Sequence, residues 1–227
     1  MKKLALAVLL SVSGARGSLG AQTATQVDVR TAVRVRDRRT STSARVIEGS
    51  YMYHRIIAPH VGYQDSADPK AYREFFFGGG YKFLENDDLD FSGEVYFIQT
   101  AGSHSNDARF IQPSSEIAYS ITHELHTEAL LFAYIPVSAV GNKQFVVEHV
   151  KVGFDLLPVA NIALGYGAYQ AEHDEWRQSP VVSFTLTPSG GRLGSIELWY
   201  QPLAFGGQQA QLRYKFRRSR KPEVHTE

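Results

Sequence analysis

Segment after segment of this chain alternates apolar and polar residues with a period of two, and several hold that alternation for ten residues or more. A period of two is the mark of a β-strand with differently solvated faces. Phe75, Phe77, Gly79, Tyr81 and Phe83 share one side of a pleat, and Glu74, Phe76, Gly78, Gly80 and Lys82 share the other. Val150, Val152, Phe154 and Leu156 alternate with His149, Lys151, Gly153 and Asp155. Ile196, Leu198 and Tyr200 oppose Ser195, Glu197, Trp199 and Gln201, and Ala210, Leu212, Tyr214 and Phe216 oppose Gln209, Gln211, Arg213 and Lys215. Helical spacing is nowhere sustained. With 13 Phe and 12 Tyr beside 2 Trp and 2 Met, the composition also suits β-structure.

Strand length then separates the β-architectures. Strands of soluble sandwiches run to about five or six residues. A tilted strand needs about ten to cross hydrocarbon. The spacing predicts about ten strands, within a range of roughly eight to twelve, near 46–58, 73–84, 89–101, 108–121, 124–137, 144–157, 161–171, 178–188, 192–203 and 208–217. The fold expected is all-β, a closed antiparallel up-and-down transmembrane barrel with its apolar face towards lipid and its polar face lining a lumen. Both termini fall on the periplasmic side of such a barrel. Short connections near 84–88, 121–123, 158–160 and 189–191 share that side, and generally longer ones near 59–72, 102–107, 138–143, 172–177 and 204–207 lie outside. Alternation alone also fits a soluble periplasmic sandwich or lipocalin-like binder with the apolar face turned inward, and that alternative stands at this point.

The N-terminus has the layout of a secretory signal peptide over 1–21: Lys2 and Lys3, the run Leu4 to Leu10, then small residues to Ala21. The run is too short for a permanent membrane anchor. From Gln22 to Ala44, Val27, Val29, Val33 and Val35 alternate with Asp28, Arg30, Arg34 and Arg36, followed by the polar stretch Arg36 to Ser43. A further strand there breaks the even count unless 46–72 contains two, so 22–45 is taken as a periplasmic arm and linker. The barrel is assigned to 46–217 and a basic tail to 218–227.

The last alternating segment, Gln209 to Phe216, ends in Tyr214-x-Phe216 and resembles the C-terminal β-signal of bacterial outer-membrane barrels. That resemblance implies an outer-membrane location, recognition by the outer-membrane assembly machinery, and lipid and lipopolysaccharide as surroundings.

Other chemistry is narrowed by composition. The absence of Cys excludes thiol catalysis and Cys-based metal sites, and a net charge of +1 gives no global attraction to nucleic acid. No cofactor is expected. The polar face offers Glu94, Glu116, Glu128, His149, Lys151, Glu197, Arg213 and Lys215 as lumen-lining candidates. Glu197 and Arg213 are expected on neighbouring strands, as are Glu128 and Lys151. Ions withdrawn from water must pair, so this face forms a salt-bridge network that fills the barrel, a narrow polar pathway, or a ligand cup with an acidic wall on one side and a basic wall on the other. No catalytic or metal residues are assigned. His126 and Glu128 share a strand face, and the outer loops hold His104 with Asp107 and His173 with Asp174. The first pair starts at a short periplasmic turn, a poor place for a surface-facing active site, so it is the outer-loop pairs that leave a lipid or peptide hydrolase as an alternative to the expected structural or narrow-pore role.

Overall fold

The structure, a computed structural model, describes residues 23–36, 39–65, 70, 72–103, 107–172, 174–188, 193–202 and 208–220. The expected signal peptide lies outside these residues, as do 221–227 of the tail. Twelve strands occupy the described chain: β1 Thr23–Arg36, β2 Arg39–Tyr53, β3 Ile56–Asp65, β4 Arg73–Glu85, β5 Leu89–Ala101, β6 Arg109–Ser120, β7 Leu125–Pro136, β8 Gln144–Leu157, β9 Ala160–Ala171, β10 Arg177–Leu186, β11 Ser195–Gln201 and β12 Gln208–Arg220. Each pairs antiparallel with the next, and β1 closes the ring on β12. Closure removes every free edge, so the strands satisfy one another's backbone groups where no water can.

The alternation sorts into the two expected faces. Phe77 is 61% exposed, Leu164 60% and Leu198 55%, on strands distributed round the barrel, whereas Lys151, Glu197 and Arg213 are buried inside. A continuous apolar exterior of this kind has no stable place in water. The closed ring and the outward aromatic face therefore exclude the soluble sandwich and place the belt in lipid.

Nine of the expected strands correspond to β4–β12. The count of about ten is corrected to twelve at the N-terminal side. The segment expected as one strand over 46–58 is the end of β2, a turn at His54-Arg55 with His54 at φ 56°, and the start of β3. β3 also occupies much of the expected outer loop 59–72. Residues 22–45, expected as an arm and linker, supply β1 and the first half of β2, whose register runs from Thr23↔Tyr53 to Arg36↔Arg39. Polar content does not mark a linker in a barrel, because every second position of a strand faces the lumen. The tail assigned to 218–227 begins inside β12, where Arg218 pairs with Thr25 and Arg220 with Thr23.

That pairing puts both described termini at one end. The same end carries the connections at 54–55, 86–88, 121–124, 158–159 and 187–194. The last is longer than the three residues expected.

One cross-strand row explains part of the glycine run. His60 on β3 pairs with Gly78 on β4, which pairs with Tyr96 on β5. With no side chain between them, the Tyr96 hydroxyl lies 2.9 Å from His60 Nδ1. A Cβ on Gly78 would run into the Val95 carbonyl, and one on Gly80 into the Gly93 carbonyl. Gly80→Val is expected to destabilise the barrel by about 2 kcal/mol, the scale of overpacking. The folded, unboiled gel band should then convert to the unfolded form at a lower temperature. Gly49→Ala, whose Cβ would sit at an ordinary 3.6 Å from the Gln26 carbonyl, should leave that temperature unchanged.

Candidate functional site: a half-filled lumen

Small inward residues on β9 and β10 decide where the charges go. Gly165 lies beside Lys151 in register, and Val181 and Ser183 follow on β10. Over this low stretch Lys151 of β8 reaches Glu197 of β11, with Nζ 2.6 Å from Oε1, and passes the Ser183 hydroxyl at 3.4 Å. Lys151 also meets its register partner Glu128 of β7. Arg213 of β12 pairs in register with Glu197, its Nη1 3.9 Å from Oε2. It donates from Nη2 to Glu148 Oε1 at 2.7 Å and from Nε to Gln211 Oε1 at 2.9 Å. The guanidinium lies 4.2 Å from the ring centre of Trp199, with Lys151 Nζ at 4.9 Å. His149 meets the same indole edge-on at 5.2 Å, and its Nε2 is 3.4 Å from Glu128 Oε1. Each cation thus touches two carboxylates and an aromatic ring. Such multiple pairing is what lets ions remain out of water.

A β-bulge supplies the carboxylate that sequence reasoning missed. In the β7–β8 ladder Leu130 pairs with His149 and Leu131 with Val147, so Glu148 is skipped. The extra residue turns both Glu148 and His149 to the lumen. A signal was present in the sequence. Phe145 faces outward at an odd position, whereas Val152 and Phe154 face outward at even ones, and the phase can change only at a bulge between them.

The other half of the lumen is less completely filled, with an apolar cluster of Tyr96, Ile98, Ala108 and Phe110, packed by Phe76 and Tyr134, at its Glu74 end. A cavity of about 390 Å³ is walled largely by β2–β7, with Glu148, His149, Arg213 and Lys215 closing it on the side of the ion cluster. Glu74 and Lys82 both line it; they lie eight residues apart on β4, about 26 Å at strand spacing. The cavity therefore runs along most of the strand's length. Its walls are mixed in charge. Glu48, Glu94 and Glu116 face it, with Gln112, Ser114 and Ser50 between them. His60 Nδ1 is 2.7 Å from Glu94 Oε2, and at the lower end Lys82 Nζ donates to Asp90 at 2.7 Å and Glu85 at 3.0 Å.

The candidates thus fall into three groups. Glu128, Lys151 and Glu197 belong to the filled half; Glu94, Glu116 and Lys215 line the open half; His149 and Arg213 form the boundary. His60 was missed because its segment was read as a loop. The hydrolase candidates His104 and His173 lie outside the described residues; His126, on the strand face it shares with Glu128, stands 3.4 Å from the Asn161 side-chain amide. Among the described residues no group of three or more His, Asp or Glu is placed to hold a metal ion.

Fold and site together define a closed transmembrane β-barrel with a polar, partly open lumen. Among solved structures the chain resembles a KdgM porin, with 12% identity, a TM-score of 0.55 and coverage of 84% of this chain and 98% of that one. A KdgM porin in complex with disordered oligogalacturonate gives 8% identity, a TM-score of 0.56 and coverage of 84% and 98%. A NanC porin gives 10% identity, a TM-score of 0.55 and coverage of 86% and 99%. No family model and no curated protein matches the chain. The barrel architecture is shared with these porins at almost their full length.

Proposed function

We propose that this protein is an outer-membrane channel that admits small polar solutes along the open half of its lumen. The observation that carries this is the cavity reaching from Glu74 to Lys82 beside the ion cluster, lined by acidic, amide and hydroxyl side chains interspersed with apolar ones. The cluster narrows the bore and keeps it rigid, so passage is limited by size. The outward apolar belt, the signal-peptide pattern and the Tyr214-x-Phe216 strand support placement in the outer membrane. The structural neighbours bear the name porin, which agrees with a transport role.

Proteoliposome swelling tests this. Vesicles holding the folded protein should swell in isotonic glycerol or glucose faster than empty vesicles, and should not swell in dextran. Swelling no faster than in empty vesicles, with the barrel shown folded by its boiling-dependent gel shift, would contradict a channel.

A further inference from the structure

The charges that face the larger cavity do not balance. Lys82 is taken up by Asp90 at 2.7 Å and Glu85 at 3.0 Å, and Arg213 by Glu148 and Glu197. Among the described Lys and Arg residues lining the cavity, this leaves Lys215 against Glu48 of β2, Glu94 of β5 and Glu116 of β6. The three carboxylates converge from three strands, since all of them act electrostatically on the Tyr96 hydroxyl.

Glu116 stands apart within this group. Glu94 is engaged by His60 at 2.7 Å. Glu116 lines the cavity and is nevertheless exposed, so the water it meets is the water of the lumen. It is the eighth of the twelve residues of β6, well inside the strand and away from either mouth. Its register partners are Ser92 and Leu130, neither of which carries a charge. The base beyond Ser92 in the same row is Lys82, already committed to Asp90 and Glu85. No hydrogen bond or ion pair holds the Glu116 carboxylate among the described residues.

A hydrated carboxylate avoids the cost of burying an unpaired charge. Low-dielectric walls then focus its field into the bore. At about 5 Å through water, one such charge favours a monovalent cation about fourfold and disfavours an anion equally. We propose that Glu116 is a specificity-determining residue of the passage, which prefers small cations and protonated amines to anions of the same size. The proposal rests on the channel reading and deepens it by naming the class of solute.

The test is the reversal potential of the full chain in planar bilayers of uncharged phosphatidylcholine, so that the lipid adds no field of its own. A gradient from about 10 to about 100 mM KCl keeps screening weak, with Debye lengths of about 30 to about 10 Å. The parent is expected to pass K⁺ at least threefold better than Cl⁻. Glu116→Gln, which keeps shape and removes the charge, should lower that ratio at least twofold, whereas Glu116→Asp should keep most of it. Each variant is first shown folded by its boiling-dependent gel shift, which an unpartnered side chain gives no reason to lose. A parent ratio at or below one overturns the proposal without any variant. A ratio that Glu116→Gln lowers less than twofold, or that Glu116→Asp lowers equally, overturns it as well, since charge at this position would then not decide passage. All three of those outcomes leave the channel standing. A folded protein that inserts and carries no current removes the channel and this preference together.

Discussion

Arg213→Ala is expected to lower the stability of the folded barrel by about 3 kcal/mol, since removing one partner from a buried ion cluster leaves the others uncompensated. Arg213 is 2% exposed, and its loss strips Glu148 of its 2.7 Å partner and Trp199 of the cation over its ring. Glu197 retains Lys151 at 2.6 Å, which is why the loss should stay at the lower end of the range for such pairs. The folded gel band should unfold at a distinctly lower temperature. The same variant removes a side chain from the boundary of the open cavity, so its conductance should rise. Arg213→Met combined with Glu148→Gln removes one charge of each sign and roughly keeps volume. That double variant should recover part of the lost stability, and the shortfall from additivity measures the coupling. A variant as heat-resistant as the parent would show that the cluster does not bear on stability.

Phe77→Arg tests the other face. Phe77 is 61% exposed and belongs to the apolar belt. Arginine near the middle of the bilayer on that face destabilises a barrel by about 2–4 kcal/mol. Gln112 lines the aqueous cavity, and an arginine there keeps its charge in water. Folding yield in phospholipid vesicles should therefore fall sharply for Phe77→Arg and little for Gln112→Arg. Similar yields for both would mean that the belt does not meet lipid.

Much of this organisation was legible because a strand of period two writes its two faces directly into the sequence. The faces of β4, of β8 from His149 onward and of β9–β12 follow from alternation alone, as do the neighbouring placements of Glu197 with Arg213 and of Glu128 with Lys151. What was not legible has physical causes. The turn at His54-Arg55 has neither Gly nor Pro to announce it, so β2 and β3 merged into one segment. β1 was passed over because alternating Val and Arg, followed by a Ser/Thr run, reads equally as a wet strand or a solvated arm. Glu148 was lost to a bulge, which breaks the period that made the rest readable. Which half of the lumen fills could not be read either. It depends on Lys151 reaching over Gly165 and past Ser183 to a strand three places away, a contact that no local pattern encodes.

Single-channel recording in planar bilayers tests the central claim most directly. Purified full-length protein, with its boiling-dependent gel shift confirmed, should insert to give discrete and uniform current steps, and Arg213→Ala should give larger ones. A folded protein that inserts and carries no current, or steps whose size ignores Arg213, would contradict a channel bounded by this ion cluster.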